Sequence, residues 1–192
     1  MKKKIFCALM LGVHVSACTE SSGSKYIASD QSLLEKSEGF IDAFYSFDSG
    51  RLEEHLLSDD ESAAAMLYYQ GWAEGGNYKV LHRKPCEVAE PNLIECSITV
   101  EDDPILALGI DFKVTDTFHI SFAAGEISSI KTSSNDPQIY YQARDWVKLN
   151  HPDLIEIPCK KLFNGGPTPG ECARAMTEGY AKFAASADFP ER

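Results

Sequence analysis

The chain has 192 residues, of which 18 are Lys or Arg and 29 are Asp or Glu, a net charge of −11. Acidity on that scale disfavours nucleic acid and anionic membrane surfaces, whose phosphates it would repel, and it favours solubility. With no basic patch, second transmembrane run, internal repeat or low-complexity block, the composition points to one ordinary domain long enough to bury a sizeable core.

Residues 1–17 read as an address label. Lys2, Lys3 and Lys4 make a positive start, and Ile5 to Val15 is an apolar run, interrupted by His14 and too short to span a bilayer. The run ends Val15-Ser16-Ala17-Cys18, which resembles the bacterial lipobox. That resemblance implies a diacylglyceryl thioether on Cys18, cleavage before it and acylation of the new amine, and two or three acyl chains anchor stably where one would not. The competing reading is an ordinary signal peptide cut after Ala17, which leaves Cys18 a free thiol. Thr19 after the cysteine is similar to the outer-membrane-sorted class, so the expected place is the periplasmic face of the outer membrane. Cleavage leaves 175 residues and, with three lysines gone, 15 basic against 29 acidic side chains, a net charge of −14.

Residues 18–31, with Ser21, Ser22, Gly23 and Ser24, read as a flexible tether, and 32–187 as a single domain. Leu33, Ser37, Phe40, Ile41, Phe44 and Phe47 recur at helical spacing and predict a first helix that stops near Asp48-Ser49-Gly50. A short helix over Leu52 to Leu57 follows. Ser58-Asp59-Asp60-Glu61 opens a third helix, its acids at the positive end of the dipole, carrying Met66, Leu67, Tyr69 and Trp72 to Gly75-Gly76. Tyr78 to Val88 and Ile94 to Val100 alternate as strands about Glu90-Pro91-Asn92. Asp102-Asp103-Pro104 breaks the pattern. After Pro137 a helix is expected to about Leu149, marked by Ile139, Tyr140, Ala143, Trp146 and Val147. Thr168-Pro169-Gly170-Glu171 caps a last helix that buries Cys172, Ala175, Met176, Gly179, Tyr180 and Phe183.

Of six cysteines, Cys7 leaves with the signal and Cys18 takes the lipid. Cys86, Cys96, Cys159 and Cys172 remain, an even number suited to an oxidising compartment, with three connectivities open to them. Folding about Pro91 puts Cys86 opposite Cys96 at a bridgeable separation, and Cys159 and Cys172 flank a loop rich in Gly and Pro. The expected pairs are therefore 86 with 96 and 159 with 172. Zinc ranks below disulfides because there is no Cys-x-x-Cys and no His at ligand spacing, and no metal or other cofactor is expected.

Gly109 to Thr132 holds the strongest pattern. Ile110, Phe112, Val114, Phe118, Ile120 and Phe122 share one parity, and Asp111, Lys113, Thr115, Thr117, His119 and Ser121 the other, so one face is greasy and one wet. Ala123-Ala124-Gly125-Glu126 supplies the turn, and Ile127, Ile130 and Thr132 the return strand. Asp116 shares parity with Phe112 and Phe118. An unbroken strand would bury it, so a bulge within Val114 to Thr117 is expected to turn it toward water. His119 falls on the polar parity, and His82 is expected to pair across the sheet with Val100. The aromatics Tyr68, Tyr69, Trp72 and Tyr78 cluster before the first strand, most of them expected in the core and one or two at a pocket mouth. No Ser-His-Asp order, Gly-x-Ser-x-Gly or His-Glu-x-x-His is present.

Two stretches, FIDAFYSFDSGRLEEHLL (Phe40 to Leu57) and TFHISFAAGEISSI (Thr117 to Ile130), resemble the nuclear transport factor 2-like superfamily and, within it, the small polyketide-cyclase-like proteins. The likeness covers residues 30–135; the disulfides and everything from Pro137 onward lie outside it. It implies an α+β fold in which a curved, mostly antiparallel sheet wraps the N-terminal helices as a cone whose open end is a pocket, with extra C-terminal helices. Phe44, Tyr45, Trp72, Phe112 and Phe118 are then the expected pocket lining, with no catalytic residue assigned. Family members include isomerases, dehydratases, hydrolases and non-catalytic binders, so fold does not settle function. The expectation is a membrane-anchored, non-catalytic module that binds a small apolar ligand or an envelope protein. The alternative is a small cone-pocket enzyme using Tyr45 and Asp116. A homodimer through the sheet's convex face is the remaining partner expectation, and nucleic acid is not one.

Overall fold

Alternation along the chain builds the sheet. In the computed structural model, which describes residues 22–56, 61–160 and 169–190, every second residue of two long neighbouring strands is buried. The elements in order are α1 (Ser22–Phe44), α2 (Ser49–Glu53), α3 (Glu61–Gly75), β1 (Lys79–Arg83), β2 (Glu87–Glu90), β3 (Leu93–Glu101), α4 (Asp103–Ala107), β4 (Val114–Ala123), β5 (Glu126–Ser134), α5 (Gln138–Asn150), α6 (Pro152–Ile155) and α7 (Pro169–Ala184). The fold is α+β with an antiparallel five-stranded sheet. Its order is β1-β3-β4-β5, and β2 also pairs with β3.

The expected strand over Tyr78 to Val88 is two strands in the structure. Pro85 offers no N–H to the ladder, so pairing lapses between Arg83 and Glu87, although Lys84 N still donates to Ser97 O at 3.2 Å. A register shift between Val80 and His82 sets His82 opposite Thr99 rather than Val100 and leaves it exposed. The hairpin turn forms as its composition requires. Ala123 pairs with Glu126, and the two central residues, Ala124 and Gly125, both take positive φ, 52° and 81°.

The expected bulge at Asp116 is not there. β4 pairs without interruption with β3 from Val100↔Val114 to Leu93↔Ser121, and the shift against β5 falls between Ser121 and Phe122, near the turn. Asp116 therefore keeps the parity of Val114 and Phe118 and is 1% exposed, a correction to the outward orientation expected from sequence. Two-sided pairing holds the register: Ile98 on β3 and Ser134 on β5 flank Asp116.

On the apolar side of the sheet, Phe40 and Phe44 of α1 pack on Phe118 with ring centroids 5.9 and 5.0 Å apart, and Tyr69 of α3 closes the cluster 5.2 Å from Phe44. α1 begins at Ser22, so the stretch expected as a tether is helical from that residue on, while residues 18–21 lie outside the described residues. It ends at Phe44, where the Gln70 amide donates to the carbonyls of Ala43 (3.1 Å) and Phe44 (2.9 Å), adding to the bonds these accept from Ser46 N and Phe47 N in the closing turn. Asp48 caps α2 through Gly50 N and Arg51 N, so this helix starts at Ser49, ahead of the expected Leu52, and ends at Glu53. Asp102-Asp103-Pro104, expected only to break the strand pattern, starts α4 instead, with Asp102 as its cap. The opposite face of the sheet is a half-exposed polar lattice in which Ser97 meets Thr117, Thr99 meets Thr115, and His119 meets both Glu95 and Ser133.

Both expected disulfides are present, Cys86–Cys96 and Cys159–Cys172, with Cα atoms 4.3 and 4.6 Å apart. The second ties the segment after α6 to α7. α7 in turn approaches α3 so closely that a Cβ on Gly75 would lie 2.3 Å from Gly170 backbone, and a Cβ on Gly179 would lie 2.5 Å from Val147 of α5. Because no Cβ intervenes at these crossings, α7 lies close against α3 and α5, and it also packs on α4.

Candidate functional site

Beside that close packing lies a half-open cavity of about 260 Å³. α3 contributes Tyr68, Tyr69 and Trp72 to its wall, and the chain beyond α3 contributes Tyr78. The sheet contributes Asp116 and Ser134, with Asp136 just past β5. α5 gives Tyr140, Tyr141 and Arg144, and α7 gives Met176 and Tyr180. The volume falls just below the ~300–1,000 Å³ of small-molecule sites, which suits a ligand of no more than one ring and a few further atoms.

Of the five residues expected to line a pocket, Trp72 does so. Phe44 and Phe118 are fully buried in the aromatic layer around α1, Phe112 packs half-buried against the core, and Tyr45 joins the same layer with its ring 5.0 Å from Phe44; these four stand outside the lining. All four of the aromatics clustered before the first strand line the cavity, more than the one or two expected. Five further lining residues come from α5 and α7, a region the family likeness does not cover. The signal available in the sequence was the density of tyrosines at 140, 141 and 180, which helical periodicity alone assigns to core packing.

Asp116 dominates the chemistry. One carboxyl oxygen, Oδ2, is buried without a hydrogen-bond partner. Burial is the main reason its pKa rises from 3.8 to about 7; donation from Tyr69 and Ser134 pulls the other way, and the nearby Asp136 and Asp102 carboxyls add to the rise. Asp102 is pushed up to about 6, first by burial, against the lowering effect of the Ile105 N–H it accepts at 2.8 Å; its own Oδ2 is also unpartnered. Burial likewise raises the hydroxyls of Tyr69, Tyr78 and Tyr140 well above the ordinary tyrosine value, so they stay protonated and serve as donors. Tyr45, its hydroxyl buried and unpartnered, is raised by burial and then by the charge of Asp116. Asp136 accepts from Tyr141 at 3.2 Å. Arg144, the one cationic side chain among the described lining residues, donates to Asp145 at 3.0 Å and lies over the Tyr141 ring 5.2 Å from its centroid.

No histidine lines the cavity among the described residues. His82 lies on the edge strand and His119 on the polar face of the sheet. Among the described residues no group of three or more His, Cys, Asp or Glu converges as metal ligands do, and no helix is long and apolar enough to cross a membrane. The expected lipid-bearing Cys18 lies outside the described residues. Compared with protein-family models, curated proteins and solved structures, the chain matches none of them.

Proposed function

We propose that this is a lipid-anchored envelope protein whose domain, a nuclear transport factor 2-like cone of sheet around α1, takes a small and largely apolar ligand into the cavity beside Asp116. The observation that carries this reading is the inward carboxyl. A buried acid whose second oxygen has no partner is unfavourable by several kcal/mol unless it is protonated or gains a hydrogen-bonding or charged partner. Seven of the twelve lining residues are aromatic, which supplies contact area at little entropic expense. The lipid on Cys18 would hold the domain at the periplasmic face of the outer membrane.

Binding is tested through the emission of Trp72. The chain has two tryptophans, and Trp146 reports elsewhere, its indole donating to Asp188 at 2.7 Å. A Trp146→Phe variant therefore isolates the cavity signal. Titration with a library of single-ring compounds should shift Trp72 emission saturably. A library with no saturable member would refute the reading.

A second reading, a proton-transfer enzyme, gains from the same residue. An acid held near 7 is half ionised at neutrality, which suits it to take and return a proton, and the tyrosine hydroxyls around it can stabilise charge that develops on the substrate. Its test is hydrogen–deuterium exchange at the α-carbon of single-ring ketones, followed by NMR. Exchange should be faster with wild type than with Asp116→Asn, and equal rates would leave binding alone.

A further inference from the structure

Given the binding reading above, on which this rests, we infer that the cavity selects an organic cation, a protonated or quaternary amine carried on a single-ring body, with Asp116 as its counter-ion and the surrounding aromatic faces as its cage. Three independent features converge on a positive ligand. Trp72, Tyr69, Tyr78, Tyr140 and Tyr180 stand on the wall, and aromatic faces carry negative potential that attracts a desolvated cation. Asp116 brings a carboxyl oxygen that no described group satisfies, although the residue is 1% exposed and lines the cavity. Asp136, on the same cavity wall, and Asp102, outside it, add negative charge felt at Asp116, and Asp102 has an unpartnered oxygen of its own.

The rival is an anionic ligand held by Arg144. That guanidinium is already committed to Asp145 and to the face of Tyr141, while an anion entering the cavity would meet Asp116 and Asp136. Electrostatics therefore rank a cation first, a neutral body second and an anion last. The groups facing Asp116 include Tyr69 from α3, Ser134 from β5, and the charges of Asp136 and Asp102; the tyrosines stay neutral through the working range. As pH rises through about 7, Asp116 ionises and a cation of fixed charge should bind more tightly. Bound cation would in turn pull the Asp116 pKa down, so binding should release protons below neutrality.

Three near-isosteric probes separate the possibilities: benzyltrimethylammonium, neopentylbenzene and benzylsulfonate, titrated by calorimetry and by Trp72 emission in the Trp146→Phe background. Benzyltrimethylammonium should bind on the order of tenfold or more tighter than the neutral probe at about pH 8, and that preference should shrink toward about pH 5.5. Asp116→Asn should bring the affinities of the cation and neopentylbenzene together, with a cooperative urea transition certifying that the variant is folded. The pH profile of the wild type carries the same information if the variant fails to fold. Equal affinity for cation and neutral probe, or tightest binding of the sulfonate, overturns the charge inference and leaves the pocket reading standing. If none of the three binds, the pocket reading fails and the inference falls with it.

Discussion

Replacing Asp116 with Asn exposes the energetic consequence of burying an acid. Between pH 3.8 and about 7 the folded chain holds a proton on this carboxyl that the unfolded chain has released. The associated stability is therefore fully present below about pH 4 and is lost as pH rises through about 7. At about 1.4 kcal/mol per pH unit, that interval is worth about 4 kcal/mol, an upper figure because water entry and local rearrangement relieve part of the strain of ionisation. Asn has nearly the same shape and does not titrate. Relative to wild type, the variant should gain stability steadily as pH rises, with the largest part of the gain present by about pH 8. Urea unfolding at several pH values from about 4 to about 8, with disulfides intact, measures it. Asp102, pushed up to about 6, gives both proteins a residual slope, so the diagnostic quantity is the difference between them. Parallel profiles would mean that burial does not raise the Asp116 carboxyl above its ordinary value, which would refute the proton-transfer reading and the pH dependence assigned to the cavity.

Other consequences are simpler to read. Removing either disulfide by double Cys→Ala substitution should lower stability by about 2–3 kcal/mol, since each closes a short loop, of sequence separation 10 for one and 13 for the other; unchanged urea midpoints would contradict this. Gly75→Ala forces backbone apart where α3 meets α7, so it should destabilise by about 1–3 kcal/mol and also weaken cavity binding, whereas a neutral result would mean that the crossing is loose. Cys18→Ser should release the protein from the membrane fraction, and mass spectrometry of the wild-type mature protein should find acyl chains; their absence would refute the anchor.

Features that depend on residues close together along the chain are legible in the sequence itself. The turn at Ala124-Gly125 and the alternation of β4 follow from residue types and their spacing. The pairing of Cys86 with Cys96 follows from the chain reversal at Pro91 and Asn92 between them, and Cys159 with Cys172 from an intervening loop that brings near neighbours back together. The proline opening α7 marks that helix for the same local reason, whereas Asp48, read as the stop of the first helix, turns out to cap α2. The breaks are harder. Pro85 interrupts an otherwise alternating run, and the register shift beside it moves His82 by one partner, because a bulge is decided by how a strand fits its neighbour rather than by its own pattern.

By itself, the sequence determined the two faces of the sheet, since parity is a property of the backbone that any side chain must obey. It placed Asp116 on the greasy side, and the expected bulge followed from the cost of burying an acid considered alone. Tertiary structure decided otherwise, because β4 is paired on both sides at once and a slip there would break two ladders together. It also decided what stands before that carboxyl. Tyr69 and Trp72 come from one end of the chain, and Tyr140, Arg144 and Tyr180 from the other. They meet only because glycines at 75 and 179 let the last helices come close, and that convergence of distant residues has no signature in local spacing.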